Sequence, residues 1–240
     1  MKLYLFQCGT IKTFKHLLVK NAGIGQPCEV PVPFFLITHP DGNVLFDTGQ
    51  PLAAASASQG QDGNYLPVMT PDDYVIAQLA QTGMHPSDIT RIVISHRHAD
   101  HAGGLEAFRD VICYLQKKEL TYDDGQNFIS QYPLRWQLLN GDHDIFGDGK
   151  IKIISPPGHT PGHQSLLVKL EKRGDILLTS DSVYTEEILE EGILPGVFFN
   201  QDDTVKTINM IKAMRRDGIR IITGHDPQAW GSFKLAPKFM

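Results

Sequence analysis

Residues Ile92–Leu105 read IVISHRHADHAGGL, and this stretch decides the fold. Its start completes RIVIS (91–95), a short β-branched run of the kind found in a sheet covered on both faces. His96, His98, Asp100 and His101 follow within six residues. Along an extended segment, residues two apart point to the same side, so His96 and His98 can grip one metal ion together. The chain then turns through Ala102-Gly103-Gly104, where glycine permits tight backbone geometry. Asp100 and His101 are adjacent, aim differently from the first pair, and can serve a second ion. A lone histidine is normally a satisfied surface residue, but four ligand-type side chains at one strand end are not explained that way.

A metal site needs further donors, and three other strand ends supply them. ISPPGHTPGHQS places His159 in a Gly/Pro loop after a strand at 151–155. LLTSDSVY places Asp181 after a strand at 175–180, and IITGHDP places His225 after a strand at 219–224. Loops at strand ends are where α/β folds assemble active sites. Together these positions give five histidines and two aspartates, enough for two ions. His163, in the same loop as His159, is expected to hydrogen-bond or pack rather than ligate. His16, His39, His85 and His143 lack such a setting and are expected at the surface.

The rest of the chain alternates strand-like and helix-like segments. KLYLFQC (2–8) opens as a strand, and residues 34–49 read as two strands joined by a tight turn at Asp41-Gly42. TPDDYVIAQLAQTG (70–83) predicts a helix, with Thr70 as cap, Pro71 at the first position and Gly83 at the end. Further strands are expected at 111–115 and 164–170. A helix is expected over 202–218, with apolar residues at 205, 208, 211 and 214. With no internal repeat and no clear linker, residues 1–240 read as one α/β domain. Residues 49–65 are small and polar and read as a long mobile loop, of a length that is usually functional or disordered.

Composition narrows the function classes. The chain has 240 residues, 41% hydrophobic and 20% charged, which suffices for a sizeable core. A net charge of −5, with only isolated basic pairs at 117–118 and 215–216, argues against a nucleic-acid binder. The opening apolar run is too short for a signal-peptide core, and no run approaches a membrane span. Cys8, Cys28 and Cys113 form neither a C-x-x-C pair nor a disulfide framework, so a reducing cytoplasm is expected.

HRHADH, GHTPGH, the aspartate of TSDSVY and the histidine of TGHDP stand in the order of the metallo-β-lactamase-fold hydrolases, which the chain resembles over residues 47–225. The resemblance implies a four-layer αββα sandwich, two mixed β-sheets flanked by helices. It implies that His96, His98 and His159 hold one metal ion, that Asp100, His101 and His225 hold a second, and that Asp181 bridges them. Zinc is the expected metal, with cobalt, manganese or iron as alternatives. Asp47 of LFDTG matches the family's early Asp-Thr-Gly turn and is expected to orient ligands.

Such a centre generates hydroxide near neutral pH and polarises a substrate oxygen, which suits attack on a carbonyl or phosphoryl group. No G-x-S-x-G motif offers a covalent nucleophile. TSDSVYTEE (179–187), LPVMTPDD and SPPGHTPGHQSLLV further resemble the quorum-quenching N-acyl-homoserine lactone lactonases. That closer resemblance implies that Tyr184 hydrogen-bonds the lactone carbonyl or its oxyanion, and that Asp100 delivers a proton to the leaving alkoxide. The partner is then a small acylated lactone, and the protein a possible homodimer. Phe34 and Phe198 are candidates to line an apolar groove for the acyl tail, with Phe35 and Phe199 beside them. The alternatives are a hydrolase of the same scaffold acting on another lactone, a thioester or a β-lactam, or an iron-dependent sulfur dioxygenase.

Overall fold

The computed structural model describes residues 1–56, 64–121 and 125–240. Its strands are β1 (Lys2–Phe14), β2 (Pro27–Thr38), β3 (Asn43–Phe46), β4 (Leu66–Val68), β5 (Ile89–Val93), β6 (Ile112–Gln116), β7 (Arg135–Leu139), β8 (His143–Asp144), β9 (Ile151–Ile154), β10 (Ser165–Leu170), β11 (Gly174–Leu178) and β12 (Arg220–Ile222). Helices α1 (Lys15–Leu18), α2 (Val75–Ala80), α3 (Ala99–Ala102), α4 (Gly125–Ser130), α5 (Glu186–Glu191), α6 (Gln201–Arg216) and α7 (Pro227–Ser232) are joined to them by short 3-10 turns.

Side-chain alternation along the strands explains the layers, because successive residues face opposite sides of a sheet. Leu3 and Leu5 of β1, Phe35 and Ile37 of β2, and Val93 of β5 face one core. Leu166 and Val168 of β10, and Ile176 and Leu178 of β11, meet them from the second sheet. The intervening residues Phe6, Phe34, Leu36 and Ile92 face outward, into a second core that also holds Val75 and Leu79 of α2. Leu167 and Leu177 do the same for the other sheet, against Ile208 and Ile211 of α6. Strands apolar on both faces thus need a layer on each side, and the result is the αββα sandwich.

One sheet has seven strands in the order β4-β1-β2-β3-β5-β6-β7, and the other five in the order β12-β11-β10-β9-β8. β3, β5, β6 and β7 run parallel, as do β11 and β12. The segments after β3, β5, β11 and β12 carry Asp47, His96, Asp181 and His225.

Two local expectations are corrected. The 70–83 segment is not one helix: a 3-10 turn over Pro71–Asp73 is followed by an extended Tyr74, and α2 begins at Val75. The Asp73 carboxylate accepts the Thr70 N–H at 2.7 Å, closing a one-turn cap, while Tyr74 is buried with its hydroxyl 3.1 Å from Glu106. His39 is not at the surface. It is buried, stacks on Phe146 with ring centroids 4.2 Å apart, and its Nε2 lies 3.0 Å from Asp148 Oδ2. Of the 49–65 loop, residues 57–63 lie outside the described residues, and 52–56 form a 3-10 turn. β4, β7, β8, α5 and α7 were not anticipated from the sequence pattern. The clearest overlooked signal is Asp226-Pro227, where the Asp226 carboxylate caps α7 by accepting from the N–H groups of Gln228 and Ala229.

Candidate metal centre

Three imidazoles converge at the end of β5. His96 Nε2 lies 2.8 Å from His98 Nδ1, and His159 Nε2 lies 3.2 Å and 3.1 Å from those two atoms. Asp181 closes this group, with Oδ2 3.2 Å from His159 Nε2 and 3.7 Å from His96 Nε2. Its other oxygen faces a second set: Asp181 Oδ1 is 3.1 Å from both His101 Nε2 and His225 Nε2. Asp100 Oδ2 completes that set, 3.5 Å from His101 Nε2 and 3.7 Å from His225 Nε2. Within each group of donors all ligand atoms lie within 4.8 Å of one another. The seven residues singled out in the sequence are therefore brought together, with Asp181 between the two groups.

The donors fit divalent cations. Ligand nitrogens about 2.0–2.1 Å from a tetrahedral zinc sit roughly 3.3 Å apart, close to the spacing of the three-histidine set. Among the described residues, His101 Nε2 and Asp181 Oδ1 are buried and have no hydrogen-bond partner. Buried polar atoms are rarely left so, and a cation between them is the natural partner. The mixed nitrogen and carboxylate set suits a divalent transition metal.

Both imidazoles of the second group are aimed by their other nitrogen. His101 Nδ1 lies 2.9 Å from Asp47 Oδ2, and His225 Nδ1 lies 2.8 Å from the Pro31 carbonyl oxygen. A donor at Nδ1 leaves Nε2 with its lone pair toward the centre. Asp47 is itself fixed by the Ser95 N–H at 2.7 Å and the Ser95 hydroxyl at 2.9 Å. Ser180 adds its hydroxyl, 3.2 Å from Asp47 Oδ2 and 2.9 Å from Ser95 Oγ. Asp47 and Ser180 both hold positive φ, 59° and 49°, a costly conformation for non-glycine residues that clusters at functional sites. Ser95 and Ser180 were not singled out from the sequence; their signal is only that each adjoins a ligand. His163 packs beside His96 and shares a hydrogen bond with Ser182 Oγ at 2.9 Å, outside both donor groups.

Charge divides the two groups. Burial pushes His96 well below its ordinary value and, with the other imidazoles nearby, takes His159 down to about 4. Burial alone would also lower His101 and His225, but the carboxylates of Asp181 and Asp100 outweigh it and raise both. Burial likewise opposes ionisation of Asp181 and Asp100, and the imidazoles of His101 and His225 overcome it, holding both carboxyls low. No thiol competes as a nucleophile: burial drives Cys8 up to about 12 and Cys113 well above its usual range.

A cavity of about 600 Å³ opens over the donors, with His98, Asp100, His159, Asp181 and His225 at its floor. Tyr184 stands beside them, buried, with its hydroxyl 3.1 Å from His159 Nδ1. Burial and then the Asp181 charge push this phenol well above its ordinary value, so it remains a proton donor. The remaining wall is mostly apolar, built by Ile11, Leu17, Leu18, Val30, Pro67 and Val197 among others, with Thr13 and Gln50 as polar members. Phe34 is not part of it, a correction to the expected groove: it is fully buried in the outward core, stacked on Phe6 at 4.7 Å. Phe198 is also absent from the lining; its ring lies under the Lys20 ammonium at 4.9 Å, and its neighbour Val197 faces the cavity instead.

The Metallo-beta-lactamase superfamily profile matches residues 29–225. The chain belongs to that superfamily. N-acyl homoserine lactonase AttM of Azorhizobium caulinodans is 39% identical over 258 residues, spanning 100% of this chain and 98% of its own. The protein of the same name from Rhizobium radiobacter is 38% identical with the same coverage. A solved N-acyl homoserine lactone hydrolase, with the product N-hexanoyl-L-homoserine bound at its catalytic metal center, superposes with a TM-score of 0.90 at 28% identity, over 100% of this chain and 98% of the other.

Proposed function

We propose that this protein is a binuclear metallohydrolase that opens the lactone ring of N-acyl-homoserine lactones. The observation that carries the reading is the joint geometry of the cavity: two donor groups share Asp181 on its floor, the Tyr184 phenol stands beside them, and an apolar wall rises above. The lactonase relatives, similar over the whole chain, support it.

His96, His98 and His159 hold one divalent ion, Asp100, His101 and His225 the other, and Asp181 lies between. Zinc fits this donor set, with cobalt, manganese or iron as alternatives. Bound there, the ions supply Lewis acidity and make water acidic enough to ionise near neutral pH. Tyr184, kept protonated, donates to the carbonyl oxygen of the lactone and follows it as negative charge develops. Asp100 faces the cavity, takes the proton released by the attacking water and returns it to the ring oxygen as that bond breaks. The apolar wall receives the acyl chain and shields the reacting carbonyl from bulk water.

The test is a pH-stat screen of purified protein against homoserine lactones of graded acyl length, beside a β-lactam, a thioester and a phosphodiester, with metal content measured on the same sample. Acid release from the lactones with two ions per chain is expected. One iron per chain without ring opening would overturn the reading.

A further inference from the structure

Among the described residues, Glu119 is the most deeply buried carboxylate that the reaction does not use. It sits on the 3-10 turn Lys117–Thr121 after β6, and its side chain is 1% exposed. Its Oε1 accepts the Thr160 hydroxyl at 2.5 Å and the Gly162 N–H at 2.8 Å. Both donors belong to the loop that carries His159. Its Oε2 faces Arg97 Nε at 3.9 Å. Arg97 stands between His96 and His98, and its guanidinium lies over the Phe128 ring at 5.6 Å. One carboxylate therefore touches both segments that supply the three-histidine group.

The approach is close. A Cβ on Gly162 would stand 2.7 Å from the Glu119 backbone nitrogen, so the loop docks onto this turn only because residue 162 has no side chain. Burying a carboxylate is expensive unless it is paired and hydrogen-bonded, and an apolar side chain would fill the space at less cost. What an apolar residue lacks is the directional hold on Thr160 and Gly162. Among the described residues, no hydrogen bond or ion pair runs from Glu119 directly to α3, which carries Asp100 and His101, or to the loop of His225. Those imidazoles are set by Asp47 and by the Pro31 carbonyl.

We infer that Glu119 is a positioning residue for one metal site only, tying the His159 loop to the Arg97 segment so that three imidazoles meet at one point. The inference rests on the two-ion reading above. Groups that orient a metal's ligands typically contribute about 10- to 100-fold in metal affinity.

The test compares the unmutated protein with Glu119→Ala, Glu119→Gln and Thr160→Val. Stepwise zinc affinities are measured by competition with a chromophoric chelator, and anomalous diffraction at the zinc edge gives the occupancy at each group. Two ions in the unmutated protein are required first; finding fewer would sink the two-ion reading itself rather than the role of Glu119. Given two, Glu119→Ala is expected to weaken the ion at His96, His98 and His159 by about 10- to 100-fold and leave the other unchanged. Thr160→Val, which removes one hydrogen bond and keeps the carboxylate, should show the same selectivity to a smaller extent. Glu119→Gln retains an oxygen for Thr160 and Gly162 and should fall between Glu119→Ala and the unmutated protein. Equal weakening of both ions, or wild-type affinity at the three-histidine group, would overturn the inference. If Glu119→Ala does not fold, Thr160→Val decides by the same criteria.

Discussion

The floor and the wall of the cavity are built in different ways. The floor comes from loops after β3, β5, β9, β11 and β12, and nearly every side chain there is fixed by a named partner, as His101 is by Asp47 and His225 by Pro31. The wall comes from β1, α1, β2, β4, the turn at 51–54 and Val197, and most of its side chains are apolar ones such as Ile11, Leu17 and Val30, which pack through dispersion. A directional assembly fails when one member is lost, whereas an apolar surface loses only the area removed. The difference predicts a steep order of mutational effects from floor to wall.

The largest effect belongs to Asp181, whose two oxygens face the two donor groups. Asp181→Ala should abolish ring opening and lower the bound metal below two ions per chain, read by metal analysis beside the pH-stat assay. His98→Ala should abolish activity as well, with metal lost from its own group. Full activity in either variant would break the assignment of the floor.

Tyr184 tests the boundary between metal binding and substrate contact. Its hydroxyl touches His159 but lies outside both donor groups. Tyr184→Phe should lower kcat by roughly 10²-fold, the typical cost of one lost oxyanion donor, with both ions retained. Loss of metal in this variant would mean that the phenol serves His159 instead of the substrate.

This contrast also explains what the sequence disclosed. The floor was legible because HRHADH, GHTPGH, TSDS and TGHDP place ligand-type residues directly behind strands, and period-two geometry says which of them can act together. The sandwich was legible for the same reason, since strands apolar on both faces require two covering layers. The wall was not legible. A phenylalanine on β2 carries no mark of which face the cavity lies on, and Phe34 turns toward Phe6 while its neighbourhood contributes Val30 instead. His39 was misjudged because its partners Phe146 and Asp148 are more than a hundred residues away along the chain. Glu119 had no local signature, being one acid after two lysines, and only the docking of the 158–163 loop gives it a role.

The floor itself can be divided by its protons. Without cations, His96 is held low and His159 sits at about 4, so both are neutral at pH 7. His101 and His225 are raised, so a cation entering the second group must displace protons held there. Affinity for that ion should therefore rise with pH, by about tenfold per pH unit for each proton displaced, and stop rising above the raised values. The first ion should show a weaker dependence between pH 6 and 8. Titration calorimetry in buffers of differing ionisation enthalpy counts the protons directly. Equal proton release by the two ions would erase the electrostatic distinction between the groups.

The smallest effect is expected at the wall, and it is the one that tests substrate preference without disturbing the chemistry. Leu17 lines the cavity from α1 and is only partly buried, so truncating it creates less of a packing defect than a core substitution would. Leu17→Ala removes apolar contact from the acyl chain and nothing from the lactone ring. A missing methylene-sized contact in an apolar pocket is worth about 1–3 kcal/mol, so kcat/KM for a long-chain lactone should fall by roughly tenfold relative to a short-chain one. The kcat for the short-chain substrate should stay near the unmutated value, because the floor is untouched. If both substrates lost activity alike, the chain would bind elsewhere, and the separation of floor from wall would fail at its softer end.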